Sequence, residues 1–376
     1  MAKPNESESF FNERLNAAFE EKKPDFSKSL NIAVVGKVSA GKSSLLNAFL
    51  RRTRKTMIAD VGAISGVTTR LKVLRLDERV QIVDSPGLDD IEDKNSQVTK
   101  DFLRSIDVGI FVVTGSADAG QKKNLDDLRR HCDSVFVVLN KFDEWDRHSQ
   151  GARDKVVAQW QEKLGVDRIF TTCAFGYDPD TAPDTRLDIR GVAPLRTAVE
   201  AFLASRGKDL LLARQMGEKQ SYAMKLIVGA LLAVGGEAFL PGSAVYITAT
   251  QAASICALYY LYTGRLLSKQ SALASIPAFA GQAIGMNLFL WVSSFLPPTG
   301  VVNAAAAAVA IIVTLAMLLT ANALFSSGHE LHERELLASK FRDLKAQASK
   351  AVGDSSPSDW TSSEFWTGIV QQLMYL

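Results

Sequence analysis

Cysteine is scarce in this chain of 376 residues, and its three cysteines, Cys132, Cys173 and Cys256, lie far apart. Such scattered thiols match neither the spacing of a zinc site nor the framework of a disulfide-stapled domain. The N-terminus has no basic stretch followed by an apolar core, so we expect no secretory signal peptide. A reducing, cytosolic environment is therefore the expected setting.

Charged side chains are almost missing from one long segment. Between residues 226 and 325 only Glu237, Arg265 and Lys269 are charged, whereas an ordinary domain is about one-quarter charged. The net charge of the whole chain is only +2, and no basic cluster is interleaved with aromatic residues, so we expect no nucleic-acid partner. The change in composition predicts an ordinary globular domain followed by a separate, apolar one.

Short apolar stretches alternate with amphipathic segments across residues 29–205. This alternation is typical of a three-layer α/β domain with a mostly parallel sheet, and a hairpin within residues 71–84 adds one antiparallel edge. A helix is expected in residues 1–28, a helical apolar domain in 206–352 and an aromatic tail in 353–376. The predicted strands are 31–36, 71–76, 79–84, 107–113, 134–139 and 167–172, and the predicted helices of this domain include 42–51 and 191–205.

The strongest motif is the sequence GKVSAGKS at residues 36–43. It matches the phosphate-binding pattern G-x-x-x-x-G-K-S and lies between a predicted strand and a predicted helix, which is the context that the pattern requires. Its glycines let the backbone wrap around a phosphate, and the helix N-terminus adds positive potential. We expect Lys42 to reach the β- and γ-phosphates and the Ser43 hydroxyl to ligate Mg²⁺.

A second motif, DSPG at residues 84–87, follows a predicted strand. Asp84 is expected to hold Mg²⁺ through water, and the Gly87 N–H to sense the γ-phosphate. By itself the tetrapeptide would indicate only a turn. Its place after the phosphate-binding motif gives it functional meaning.

A third motif, NKFD at residues 140–143, follows the apolar strand SVFVVL. A carboxylate at Asp143 accepts hydrogen bonds from the N1–H and 2-amino groups of guanine. Adenine offers neither donor and would leave the carboxylate unpaired, so this residue favours guanine strongly. Lys141 is expected to lie against the base plane, and Asn140 to tie this loop to the phosphate-binding loop.

In this order, the three motifs resemble those of the Era-like and dynamin-like GTPases of the translation-factor-related class, over residues 30–205. The resemblance implies a GTPase that binds GTP and GDP and hydrolyses GTP with Mg²⁺. Residues 172–174 (TCA) resemble the last guanine-contacting loop, and 66–70 (GVTTR) resemble switch I. Within switch I, Thr69 fits the position that senses Mg²⁺ and the γ-phosphate, with Thr68 as the alternative.

The resemblance assigns site residues one by one. The implied nucleotide contacts are Gly36, Ser39, Ala40, Gly41, Lys42, Ser43, Ser44, Asn140, Lys141, Asp143, Cys173 and Ala174. The implied metal ligands are Ser43, Thr69 and Asp84, and the implied catalytic group is Ser39, Lys42, Thr69 and Gly87.

Two departures from the family pattern concern catalysis. Leu88 stands where Ras-like enzymes have a glutamine that orients water, and Val38 stands where dynamins have a glutamine. Ser39 occupies the position of an asparagine in potassium-activated relatives. The missing group is therefore expected from a monovalent cation near Ser39, from a partner, or from a second G domain in a nucleotide-dependent homodimer. A slow switch with little intrinsic turnover is the alternative.

The apolar region resembles the YcjF-type helical domain found behind some Era-like GTPases. Residues 304–325 carry no charge, and as a helix they would measure about 33 Å, enough to cross a hydrocarbon core of about 30 Å. Basic residues on both flanks favour cytosolic ends. Helix breaks are expected at residues 241–242, 263–264, 277 and 297–298, and a charged helix at 326–351.

Three functions fit these features. The preferred one is a GTPase whose nucleotide state controls a membrane-associated or self-assembling helical domain, located in the cytoplasm at the inner face of a membrane. A soluble regulatory GTPase with a buried helical bundle is the first alternative. The second is an RNA- or ribosome-directed GTPase like Era, which is disfavoured because nothing after residue 205 resembles an RNA-binding module.

Overall fold

The computed structural model describes residues 6–58, 72–85, 105–178, 182, 184–279, 304–353 and 355–375. It divides into two compact units, residues 26–218 and residues 1–25 with 219–376. The division differs from the expected boundaries, because residues 206–218 belong to the first unit. The N-terminal helix belongs to the unit that also contains the apolar region.

The first unit, here called the nucleotide unit, contains a six-stranded sheet in the order β2-β3-β1-β4-β5-β6. All neighbouring pairs are parallel except β2 with β3. This confirms the predicted α/β class with a mostly parallel sheet and one antiparallel edge. The strands are β1 (Leu30–Gly36), β2 (Lys72–Arg75), β3 (Val80–Ser85), β4 (Ile106–Val113), β5 (Cys132–Leu139) and β6 (Phe170–Thr171).

Helices on the sheet and one small ribbon complete this unit. Two short strands, β7 (Cys173–Phe175) and β8 (Asp188–Arg190), pair antiparallel. The helices are α2 (Lys42–Phe49), α3 (Gln121–His131), α4 (Gln150–Leu164), α5 (Val192–Ser205) and α6 (Asp209–Gln215), with short 3₁₀ turns at Arg54–Thr56 and Phe142–Trp145.

The central strands β1 and β4 are buried along their whole length. Strands covered by helices on both faces are apolar throughout rather than alternating, which explains why both were visible in the sequence. The last strand was predicted too long, because only Phe170 and Thr171 pair with β5. The chain leaves α4 at Gly165, and the Gln161 side chain holds the Asp167 carbonyl at 2.7 Å, so residues 165–169 remain in a turn.

The second unit, here called the helical unit, is formed by helices in the residues described, as predicted. They are α1 (Glu6–Lys22), α7 (Gln220–Glu237), α8 (Ser243–Thr263), α9 (Lys269–Phe279), α10 (Ala304–Ser326), α11 (Arg334–Val352) and α12 (Ser363–Met374). A 3₁₀ turn, Asp359–Thr361, precedes α12, and the aromatic tail is anchored by the fully buried Trp366.

Two expectations about helix ends were wrong. Pro277 lies inside α9 and does not break the helix over the residues described there. The charged helix begins at Arg334 rather than at residue 326, because Glu333 accepts hydrogen bonds from the Glu330 N–H and the His329 ring, which closes a turn there. The predicted breaks at Gly242 and Gly264 are present: Gly242 directly precedes α8 and Gly264 directly follows it, each with a positive φ.

Helix α1 packs against α8 and has Phe11, Leu15 and Phe19 buried, whereas Phe10 is 60% exposed. Gln251 donates a hydrogen bond to Thr314 at 2.8 Å, and Tyr262 donates one to Asn322 at 2.7 Å. From the first pair to the second, the residue number increases in α8 and also in α10. The two helices therefore run in the same direction. Among the described residues, α8 and α10 are the two helices long and apolar enough to cross a membrane by length and composition.

Candidate nucleotide-binding site

The phosphate-binding motif forms the turn between β1 and α2. Gly41, just before α2, has φ +77°, and Ser39 has φ +64°. A Cβ atom at Gly36 would lie 2.2 Å from the Val112 carbonyl oxygen, and one at Gly41 would lie 2.5 Å from the Asn140 amide nitrogen. Gly36 is therefore required by close backbone approach, and Gly41 by its positive φ and the nearby Asn140 side chain. The loop curls tightly enough to cradle an anion.

Lys42 begins α2 and lies across this loop. Its Nζ donates hydrogen bonds to the carbonyl oxygens of Gly36 at 2.9 Å and Lys37 at 3.0 Å, and the residue is 4% exposed. Ser43 and Ser44 follow in the first turn of the helix, where backbone N–H groups and the helix dipole favour anions. The residues predicted to contact phosphate thus lie on one loop and one helical turn.

Asn140 joins three loops. Its Nδ2 donates to the Ala40 carbonyl oxygen at 3.0 Å, and its Oδ1 accepts from the Thr172 hydroxyl at 3.0 Å. The Phe142 N–H also donates to the Thr172 carbonyl oxygen at 3.0 Å. The phosphate-binding loop, the NKFD loop and the TCA loop therefore form one rigid group. Thr172 was missed as a linking residue, and its position directly before Cys173 was the available signal.

The base-reading residues lie together at the ends of β5 and β6. Lys141 has φ +57°, and Asp143 lies in the 3₁₀ turn that follows. Burial raises the pKa of the Cys173 thiol to about 12, and a hydrogen bond with Asp143 adds to the rise. Cys173 also donates to the Asp188 carbonyl oxygen at 3.2 Å, and Ala174 is buried beside it. The thiol stays protonated at neutral pH and is held next to the carboxylate expected to read guanine.

The metal side of the site is only partly covered by the described residues. Asp84 is paired in register with Val34 of β1, so its backbone lies beside the strand that leads into the phosphate-binding loop. A carboxylate and the Ser43 hydroxyl are oxygen ligands of the kind that Mg²⁺ takes. Thr69, Thr68, Gly87 and Leu88 lie outside the described residues.

One charge pair at this site was not predicted. Lys37, inside the phosphate-binding loop, pairs with Asp118 in the loop after β4 at 2.5 Å. A hydrogen bond from Lys37, and a second from the Gly120 N–H, hold the pKa of the Asp118 carboxyl below its usual range. No sequence spacing relates these two residues, because they meet only through the parallel pairing of β1 and β4.

Comparison with known proteins agrees with the motifs and the fold. Residues 31–141 match the family model described as 50S ribosome-binding GTPase. Over this segment the chain is similar to P-loop GTPase domains. The match includes the phosphate-binding loop, the DSPG segment and the first two residues of NKFD.

Curated relatives are similar to this chain over part of its length. GTPase Der of a Nitratiruptor species is 29% identical over 144 residues, which are 35% of this chain and 30% of the relative. The tRNA modification GTPase MnmE of Carboxydothermus hydrogenoformans is 34% identical over 125 residues, 31% of this chain and 26% of the relative. The chain thus spans about a third or less of the length of these relatives.

Two solved structures are similar to less than half of this chain. The probable GTP-binding protein engB is 16% identical with a TM-score of 0.31, covering 46% of this chain and 99% of that protein. The G domain of the T. maritima FeoB iron transporter is 18% identical with a TM-score of 0.29, covering 46% of this chain and 99% of that domain.

Proposed function

We propose that this protein binds guanine nucleotides and hydrolyses GTP to GDP and phosphate with Mg²⁺. The observation that carries the proposal is the double contact of Asn140, which joins the phosphate-binding loop to the base-reading loops. A nucleotide that contacts both the phosphate-binding loop and the base-reading loops must have a fixed distance between its phosphates and its base. That arrangement suits a nucleoside triphosphate whose base is read by Asp143.

The residues of the site have different roles, which follow from their chemistry. Lys42 and the N–H groups of the first turn of α2 neutralise phosphate charge, and Asp143 reads guanine. Ser43, Asp84 and Thr69 would hold Mg²⁺, which adds positive charge at the phosphate oxygens when bound. The group that orients water is supplied by a monovalent cation near Ser39, by a partner, or by a second G domain.

Nucleotide titration and phosphate release on the full-length protein test this proposal. Lys42→Ala is expected to weaken GTP binding or hydrolysis by about tenfold or more, because a charged hydrogen-bond donor is lost from the phosphates. Lys55→Ala removes an exposed lysine of the same unit and serves as the matched control. Equal behaviour of both variants and the unmodified protein, or a preference for ATP, would overturn the proposal.

We further propose that the helical unit contacts a membrane, because one of its ends is apolar. Phe239 and Leu240, in the turn before α8, are 50% and 47% exposed. The Arg14 guanidinium lies 5.4 Å from the Phe10 ring centre and 3.1 Å from the Tyr246 hydroxyl, which places exposed Phe10 near the start of α8. Since α10 runs parallel to α8, the exposed Val309 also lies toward this end.

The opposite end of the helical unit is charged. Arg265 and Glu330 pair there at 3.3 Å, and His329 contacts Glu333 at 2.9 Å. This difference between the two ends suits a helical unit that inserts its apolar end into the hydrocarbon region and keeps its charged end in water. On this proposal the GTPase domain lies in the cytosol, at the inner face of the membrane. The proposal includes that this unit is similar to the YcjF-type helical domain found behind some Era-like GTPases.

Liposome co-sedimentation with GDP and with a non-hydrolysable GTP analogue tests membrane contact. Replacing Phe239 and Leu240 by serine is expected to weaken binding by about tenfold or more, since each buried apolar side chain contributes about 1.5–3 kcal/mol. Leu266→Ser, an equally exposed leucine at the charged end, is the matched control. A full-length protein that does not bind liposomes in either nucleotide state would contradict membrane contact and favour the soluble helical bundle. Salt-sensitive co-sedimentation with RNA would favour the RNA-directed alternative.

A further inference from the structure

The last residues of the nucleotide unit are attached to both sides of the switch I segment. Helix α6 ends at Gln215, and the chain enters the helical unit at residue 219. Contacts from residues 215–218 reach the chain before switch I and the hairpin after it. We call this set of contacts the exit clasp; its members are Leu50, Arg51, Arg52, Asp77, Gln215, Gly217 and Glu218.

The contacts before switch I are made by backbone and side chains together. The Gly217 N–H donates to the Leu50 carbonyl oxygen at 2.8 Å, and Arg52 donates to the Gln215 carbonyl oxygen at 2.6 Å. Arg51 and Glu218 form an ion pair at 2.6 Å. A Cβ atom at Gly217 would lie 2.3 Å from the Arg51 carbonyl oxygen, so the two backbones touch. Residues 215–218 therefore have little freedom to move unless residues 50–52 move with them.

Residues 50–52 are in turn held by the last guanine-contacting region. The Tyr177 hydroxyl donates to the Arg52 carbonyl oxygen at 2.7 Å. Arg54 donates to the carbonyl oxygens of Gly176 and Thr185, each at 2.5 Å. The buried Arg196 donates to the Phe49 carbonyl oxygen at 2.8 Å. The exit clasp is thus continuous with the loop that begins at Cys173 and with the helix that begins at Lys42.

The contact after switch I is made by the β2–β3 hairpin. The buried Gln215 side chain donates a hydrogen bond from Nε2 to the Asp77 carboxylate in the hairpin turn. Asp77 shapes that turn by accepting the N–H groups of Arg79 and Val80, both at 2.8 Å. Away from the turn, β2 begins three residues after Thr69 in the sequence, and β3 contains Asp84. The hairpin therefore connects the metal-side segments to the exit from the unit.

We propose that the exit clasp is the element through which the bound nucleotide controls the start of the helical unit. A change in the hairpin or in residues 50–52 between the GTP and GDP states alters the hydrogen bonds that hold residues 215–218, and the chain passes directly from there into α7. This inference rests on the proposed nucleotide binding and adds its route of regulation. Coupling of this kind is reciprocal, so loosening the exit clasp must change the relative affinities for the two nucleotides.

Affinities of the full-length protein for GDP and for a non-hydrolysable GTP analogue test the proposal. Gly217→Ala forces the two backbones apart, and Gln215→Met removes the hydrogen bond to Asp77 at similar side-chain size. Arg51→Glu and Glu218→Arg each break the ion pair, and the double variant restores it with the charges exchanged. Arg206→Gln, which breaks the exposed Arg206–Asp133 pair between α5 and α6, is the matched control.

The ratio of the two affinities is expected to change about fivefold or more in Gly217→Ala and in Gln215→Met. In the double variant Arg51→Glu with Glu218→Arg, the ratio is expected to return toward that of the unmodified protein. In Arg206→Gln it is expected to stay within about twofold of the original ratio. Hydrogen exchange of amides 209–218 is expected to differ between the two nucleotide states. A purely structural role would change both affinities equally or neither, and that result would overturn the proposal. A protein that binds no guanine nucleotide would instead overturn the proposed function itself.

Discussion

At the scale of single residues, Asp143 is expected to decide which base is bound. Asp143→Asn replaces an acceptor by an amide donor, which matches the oxygen that xanthine carries where guanine has its 2-amino group. We expect GTP affinity to fall by about tenfold or more, because a charged hydrogen bond is lost, and XTP to bind better than GTP. Competition binding with GTP, ATP and XTP measures this.

Asp146→Asn is the control for that experiment. Asp146 lies three residues further on, and its ion pair with Arg190 at 2.7 Å holds the pKa of its carboxyl below the usual range. Its substitution leaves base preference unchanged. If Asp143→Asn also kept the original GTP preference, another loop would have to read the base.

At the scale of elements, the C-terminal end of α2 depends on a residue from α5. Arg196 donates hydrogen bonds to the carbonyl oxygens of Ala48 at 2.9 Å and Phe49 at 2.8 Å, and it is 7% exposed. Arg196→Met keeps much of the packing but leaves two buried carbonyl groups without these donors. We expect the free energy of unfolding to fall by about 1–3 kcal/mol, measured by urea denaturation.

The matching control at this scale is Arg206→Met. Arg206 lies just after α5, and its side chain is 52% exposed beside Asp133. Replacing a surface residue of this kind changes stability by about 0.5 kcal/mol or less. Equal losses in the two variants would show that the carbonyl groups of α2 do not need Arg196.

Most elements of the nucleotide unit were predictable because their pattern is local. Buried parallel strands are continuous apolar runs, and β1, β4 and β5 were placed correctly for that reason. The errors occurred at the ends of elements, where single short-range side-chain hydrogen bonds shape the chain. The Gln161 side chain binds the Asp167 carbonyl oxygen, and β6 begins only at Phe170. The Glu333 carboxylate binds the His329 ring, and α11 begins only at Arg334. Pro277 was expected to break a helix, but it lies inside the described part of α9, whose packing tolerates the loss of one N–H hydrogen bond.

At the scale of the whole molecule, the N-terminal helix α1 is joined to α7 by an ion pair with a buried carboxylate. Glu237 is 8% exposed, pairs with Lys22 at 2.5 Å and accepts a hydrogen bond from the Thr250 hydroxyl at 2.9 Å. Lys22→Met would leave this carboxylate without its countercharge. We expect the free energy of unfolding of the helical unit to fall by about 1–3 kcal/mol, seen by thermal or chemical denaturation.

The neighbouring Lys23 provides the comparison. Its pair with Glu20 is exposed on both sides, with side-chain exposures of 40% and 52%, so Lys23→Met should cost no more than about 1 kcal/mol. Combining Lys22→Met with Glu237→Gln should recover part of the loss, because the uncompensated charge is removed. A Lys22→Met protein as stable as Lys23→Met would mean that water already screens Glu237.

Catalysis is also expected to depend on more than one chain or on an added ion. With Leu88 and Val38 at the positions of the usual glutamines, hydrolysis per molecule should rise about tenfold or more with protein concentration, or with potassium or sodium. Phosphate release measured over a dilution series, with each cation in turn, tests this. Fast turnover that is independent of dilution and cation would contradict it.

The sequence by itself determined the order of the three nucleotide motifs and the α/β class, because each motif is a continuous stretch and each central strand is a continuous apolar run. It also revealed the apolar helical region, since composition alone marks it. Only the tertiary structure decided which distant polar groups meet: Lys37 with Asp118, Lys22 with Glu237, and Gln215 with Asp77. These pairs are separated by long stretches of chain and follow no periodic pattern. They exist because the folded backbone brings their segments together, and a local reading of residues contains no such information.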